Sequence, residues 1–310
     1  MAVKDTLTLL KDSGKDFIDD DCPTQAAALS YYTIFSLPPL LLLILMILGA
    51  VLDPQDIQGQ LETQMGSLMG PSATEQIRSI LQQANAPGAG GFLPTVLSIG
   101  ALILGATGAF GQLQAALNRA WEVAPDPQKG GLKAFLMKRV FSFGMILSVA
   151  FLLLVSLMLS AALTAFGGAL GGMLPDGVSS TLLQVLNQVI SFVVITALFA
   201  AIFKVLPDAT VAWRDVWVGA AATGLLFVVG KFLIGLYLGR SNPGEAFGAA
   251  GSLAVMLVWI YYSSMILLFG AEFTQTWADR RGSGIAPEKG AVRVVQETKH
   301  VREGQQPVPA

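Results

Sequence analysis

The chain has 310 residues, of which 53% are hydrophobic and 13% charged, with a formal net charge of −2 and a mean hydropathy of +0.62. That composition excludes an ordinary soluble domain, in which about a quarter of residues are charged, and the acidic balance argues against a nucleic-acid partner. A single cysteine, Cys22, and a single histidine, His300, leave no intrachain disulfide and no material for a Cys/His zinc site.

Residues 1–25 read as a cytoplasmic leader. Asp5, Asp12, Asp16, Asp19, Asp20 and Asp21 interrupt any apolar core that a cleavable signal would need. Leu7, Leu10, Phe17 and Ile18 among charged neighbours predict a short amphipathic helix against the inner membrane surface, with a frayed polar leader as the alternative.

Six long uncharged stretches follow, at about 26–52, 92–112, 140–166, 181–203, 216–239 and 248–272. Each exceeds the roughly 20 residues a spanning helix needs, and none alternates as a barrel strand would. The fold class predicted is therefore an all-α polytopic membrane protein over residues 26–277. Between the first two spans, the insert 53–91 carries Ile57, Leu61, Met65 and Leu68 at helical spacing, then Ser72-Ala73-Thr74-Glu75 as a capping box. It reads as a two-helix cap or an interfacial hairpin, followed by the Pro87–Gly91 hinge. The tail, 278–310, is rich in Gly and Pro and is expected to be disordered.

Counting basic residues orients the chain. Sixteen lie in the leader, the 113–139 and 204–215 connections and the tail, whereas the opposite connections hold only Arg78 and Arg240. The positive-inside rule then places both termini in the cytoplasm and the 53–91 insert outside it.

Small residues mark close helix contacts: Gly105, Gly108 and Gly111 in the second span, and Ala220/Gly224 and Gly235/Gly239 in the fifth. Pro38 and Pro39, inside the first span, each remove a backbone donor and should break or kink that helix.

Two charges fall within spans. Lys231 sits eight residues from the outer end of the fifth span, about 12 Å below that surface. In the fourth span, Gln184, Asn187, Gln188 and Ser191 recur at i, i+3, i+4 and i+7, a polar stripe at similar depth. Facing one another, lysine and amides would bind an anionic group. The competing readings are a snorkelling lysine and amides that hold helices together. Glu272, near the cytoplasmic end of the sixth span, is expected to pair with Arg119 or Arg214, or else to couple protons. Trp121 reads as an interface anchor, and Trp213, Trp217 and Trp259 as belt or bundle aromatics. Neither a phosphate-binding loop nor an acidic two-metal cluster is present in the sequence, so no enzyme activity, cofactor or metal is expected.

Thr24–Tyr32 leading to Pro38-Pro39, Leu117–Trp121, Leu206-Pro207-Asp208, Trp213–Val216, Gly230-Lys231, Trp259–Tyr262 and Leu268–Glu272 together resemble the YihY/virulence factor BrkB family over about residues 15–277. The resemblance implies a six-span, multi-pass protein of the bacterial cytoplasmic (inner) membrane. Members of that family were once labelled ribonucleases, some are linked to serum resistance, and one has been suggested to carry lipid. The residues fit the ribonuclease label poorly. They lead instead to a secondary transporter or a translocator of lipid or anionic solute, with membrane lipids as partners. A non-catalytic scaffold or envelope-assembly factor is the alternative.

Overall fold

The structure, a computed structural model, describes residues 3–48, 108–128, 178–241 and 251–295, with positions 59 and 78. The span expected at 140–166, nearly all of the 53–91 insert, most of the 92–112 span and residues 296–310 lie outside the described residues. What is described is mostly helical. The helices are α1 (Val3–Asp19), α2 (Cys22–Leu48), α3 (residues 108–120), α4 (Val178–Val205), α5 (Trp213–Ser241) and α6 (Gly251–Arg281). Among the described residues, stretches long and apolar enough to cross a membrane lie in α4 (Gln188–Val205), α5 (Trp213–Tyr237) and α6 (Leu253–Arg281).

Local sequence sets the helix ends. Asp21 takes a left-handed conformation (φ 54°) between α1 and α2, where its peptide N–H caps Ile18 O. Pro23 immediately beyond disfavours a continuous helix through Cys22. α2 then runs unbroken through Pro38 and Pro39, so the pair does not unwind it. α6 stops at Arg281, and the chain turns away at Gly284, whose φ of 73° suits glycine and whose N–H returns to Ala278 O at 3.1 Å.

α6 is the centre of the packing, touching α1, α2 and α5. Its contact with α5 is reciprocal: a Cβ at Gly219 would coincide with the Thr274 side chain, and one at Gly270 with Thr223. Each threonine satisfies its own hydroxyl within its helix, Thr223 Oγ1 on Gly219 O (2.7 Å) and Thr274 Oγ1 on Gly270 O (2.6 Å). The two helices can therefore approach closely without leaving a polar atom unpaired. Of the expected small-residue contacts, Gly224 meets Thr196 and Phe192, and Gly108 meets Tyr32. Gly111 and Gly235 face open space.

The leader folds as a helix but buries a different face from the expected one. Leu9, Ser13 and Phe17 turn inward, while Leu7, Leu10 and Ile18 stay exposed. Ser13 Oγ reaches Thr276 Oγ1 at 3.1 Å, Phe17 meets Phe269 edge-on, and Arg280 pairs with Asp12. α6 thus holds α1 as part of the bundle.

The described part of the tail departs from the expected disorder. Four short strands supplement the helices: β1 (Val123–Pro125), β2 (Ala209–Thr210), β3 (Ala286–Pro287) and β4 (Ala291–Arg293). β4 pairs antiparallel with β1, setting Val123 opposite Arg293, and β3 pairs with β2. Val294 N–H donates to Glu122 O at 2.7 Å, and Arg293 lies 3.5 Å from the Glu122 carboxylate. The chain after α6 therefore staples the exit of α3 and the α4–α5 connection. This end of the bundle, where α2 and α5 begin and α1, α3, α4 and α6 finish, is called the strand end below.

Candidate functional site

Glu272 lies at the junction of α2, α3 and α6 and is 0% exposed. Cys22 Sγ donates to its Oε1 at 3.3 Å. The Gln275 amide, oriented so that both its ends are satisfied, donates to Glu272 Oε2 (3.2 Å) and Ala120 O (2.5 Å). Trp121, instead of anchoring at an interface, is buried, and its Nε1 donates to Ala271 O at 3.0 Å.

Neither expected cation is the partner of Glu272. Among the described residues no ion pair joins Glu272 to Arg119 or Arg214. Arg214 is exposed on the first turn of α5, and Arg119 lines the cavity described next, its buried Nε without a hydrogen-bond partner among the described residues. Gln275, three residues further along α6, was a neighbour that helical spacing could have indicated, whereas Cys22 was not, because it lies 250 positions away.

A cavity of about 1200 Å³ opens at the strand end. α1 contributes Asp12, Asp16 and Asp19 to its wall, the α1–α2 turn Asp20, and α3 with its exit Arg119 and Glu122. Asn118 and Asp208 close one side through a reciprocal pair, Asn118 Nδ2 on Asp208 Oδ2 and Asp208 N–H on Asn118 Oδ1, both 2.8 Å. Carboxylates outnumber cations along this wall. Burial, and next the charge of Glu122, push the Asp20 carboxyl up to about 6, against the opposing pull of Arg119. Asp16 is raised too, first by burial, with Lys15 opposing. Among the described residues no group of three His, Cys, Asp or Glu could hold a metal ion.

The second polar feature is the seam between α4 and α5. Gly224 meets Thr196 and Phe192 across it, and Phe227 packs edge-on against Phe199 at 5.9 Å. Lys231 lies seven residues beyond Gly224 and four beyond Phe227, so it continues the face of α5 that meets α4. It is half-buried, while Phe232 beside it is 70% exposed. Of the polar stripe on α4, Ser191 is half-buried and Gln188 exposed, and the side chains of Gln184 and Asn187 lie outside the described residues. Val185, Leu186, Val189 and Val193 of the same stretch are exposed apolar residues. The Thr196 hydroxyl, buried midway along the seam, has no hydrogen-bond partner among the described residues.

Apolar spanning helices packed through glycine–threonine contacts, with a carboxyl sealed among them, define a helical integral membrane protein. A profile of the virulence factor BrkB family matches residues 14–294, and the chain belongs to that family. Its relatives include proteins named UPF0761 membrane protein from Alcanivorax borkumensis, 28% identical over 84% of this chain and 58% of the relative, and from Rhodospirillum centenum, 28% identical over 85% and 56%. One from Pseudomonas aeruginosa is 29% identical over 82% of this chain and 59% of its own. The chain thus spans somewhat under three fifths of the length of these curated relatives. No solved structure matches it. The family profile runs to residue 294, through the strands that staple the chain after α6.

Proposed function

We propose that this is a non-catalytic translocator of anionic lipid in the bacterial inner membrane, with six spans and both termini cytoplasmic, and that the α4–α5 seam is the headgroup path. One observation carries the reading: Lys231 is half-buried, in the helical register of Gly224 and Phe227, which meet α4, and neighbouring side chains on both helices are exposed and apolar. An ammonium in that position is open to a headgroup whose acyl chains stay in the surrounding hydrocarbon, which favours a lipid over a freely soluble anion. Gln188 and Ser191 would supply hydrogen bonds to the same headgroup, with Gln184 and Asn187 continuing the stripe. The unpaired Thr196 hydroxyl offers a polar contact midway along the seam.

The test is translocation of tail-labelled phosphatidylglycerol in liposomes holding the purified chain, read by dithionite bleaching. Active wild type and a slowed Lys231→Met variant of equal abundance support the proposal. A second reading, a membrane scaffold, is favoured by the tight Gly224–Thr196 contact and the solid aromatic packing of Phe199, Phe227 and Trp259. Wild-type liposomes that bleach no further than empty ones would favour it.

A further inference from the structure

At the strand end of the same seam, a second cationic cluster stands beside two exposed tryptophans. Lys204, in the last turn of α4, donates from Nζ to Val211 O at 2.5 Å and lies 5.6 Å from the centroid of the Trp213 ring. Trp213 and Trp217, one turn apart on α5, are 54% and 46% exposed, their ring centroids 6.4 Å apart. Arg214 is exposed and makes no ion pair with any described residue. Val205, next to Lys204, is also exposed.

These residues sit where two apolar stretches meet, since one stretch ends at Val205 and the next begins at Trp213. Tryptophan is suited to that boundary, with an apolar body and one N–H for the wet side. Lys204 has given one of its three donors to Val211 O, and the Arg214 guanidinium still offers a planar fork that matches phosphate. The exposed apolar surface beside the two cations selects a phosphate that carries acyl chains over a free one.

We infer that Lys204, Arg214, Trp213 and Trp217 form a binding surface for the headgroup of an anionic phospholipid. The surface is distinct from the Lys231 position but aligned with it. Trp213, Trp217, Gly224 and Lys231 fall on one stripe of α5, because steps of 4, 7 and 7 residues return close to the same side of a helix. Trp213 and Lys231 are eighteen residues apart, about 27 Å along the axis, so the two positions are well separated along α5. The seam thus has one headgroup contact at its strand end and another deep in its opposite half. The role of this surface as a terminus of the path rests on the translocator reading, whereas the binding itself does not.

Native mass spectrometry of the purified full chain with added phosphatidylglycerol, phosphatidylcholine or inorganic phosphate tests the inference. Wild type should retain phosphatidylglycerol over phosphatidylcholine and ignore millimolar phosphate. Arg214→Gln, at an exposed position without an ion-pair partner, should weaken phosphatidylglycerol retention about fivefold, and Lys204→Gln with Arg214→Gln more than tenfold. Quenching of tryptophan emission by brominated phosphatidylglycerol should fall when Trp213 and Trp217 are both changed to Phe, a readout that survives if the Lys204 variant folds poorly. Unchanged phosphatidylglycerol retention in Arg214→Gln together with unchanged quenching, or displacement of the lipid by phosphate alone, overturns the inference. Lys231→Met separates the two claims, since it should leave this binding intact while slowing translocation.

Discussion

Cys22 and Glu272, 250 positions apart, are joined by a 3.3 Å hydrogen bond in which the thiol donates to a fully buried carboxyl oxygen. Burial, and next the nearby Glu272, push the Cys22 thiol up, which keeps its proton available for donation. Removing the donor leaves a buried acceptor short of a partner, at a cost of about 1–3 kcal/mol. Cys22→Ala should therefore lower the thermal midpoint of the detergent-solubilised protein, and Cys22→Ser should recover most of the loss. Equal midpoints for the Ala and Ser variants would show that the cysteine serves only to fill space.

The reciprocal contact between α5 and α6 gives a compensation experiment. Gly270→Ala places a methyl where Thr223 already lies, and overpacking of this kind costs about 1–3 kcal/mol. Thr223→Ala removes the hydroxyl and the methyl that the added group would meet first and leaves only the Cβ, 2.8 Å away, to shift, so the double variant should be more stable than Gly270→Ala alone. A double-mutant cycle in thermal melts reads the coupling. Strict additivity would contradict the geometry described for these helices.

At the strand end, the raised Asp20 carboxyl predicts a pH dependence of definite sign. With a folded value of about 6 against an ordinary value of 3.8, the folded chain binds more protons than the unfolded chain between those limits. The penalty for holding Asp20 ionised is thus absent below the lower limit, grows as pH rises and is complete above the upper one. Melting midpoints of wild type should fall relative to those of Asp20→Asn as pH rises from about 4 to about 6. A constant difference between the two proteins across that range would contradict the assignment.

Much of the membrane core was legible in the sequence, because long apolar runs without charges permit little else. Helices α4, α5 and α6 overlap the stretches expected as the fourth, fifth and sixth spans, with α6 running nine residues past 272 to Arg281. Less legible was everything that depends on helix rotation or on distant pairing. Glu272 could be recognised as a buried acid with Gln275 one turn away, but its thiol donor follows from how α2 is turned against α6. The helix contacts were sought between pairs of small residues, whereas the observed ones set Thr223 and Thr274 into the space above glycines. Threonine serves there only because its hydroxyl bonds back to its own helix, which periodicity does not disclose. The tail misled for another reason: Ala286-Pro287 and Ala291–Arg293 are too short to show strand alternation, and their order comes from partners on other segments. The direction in which Lys231 points along α5 was open in the sequence, and the aromatic and cationic cluster at Lys204 became visible only when the two helices were seen side by side.

The central claim, that an anionic headgroup passes along the α4–α5 seam by way of Lys231, is tested most directly by the rate of phosphatidylglycerol translocation in liposomes holding wild type, Lys231→Arg or Lys231→Met at matched density. Fast translocation by wild type, retained by Lys231→Arg and slowed about tenfold or more by Lys231→Met, is the predicted result, since the loss of one ion pair with a partly desolvated headgroup is worth roughly 1.4 kcal/mol or more. Equal rates for wild type and a well-folded Lys231→Met would contradict it.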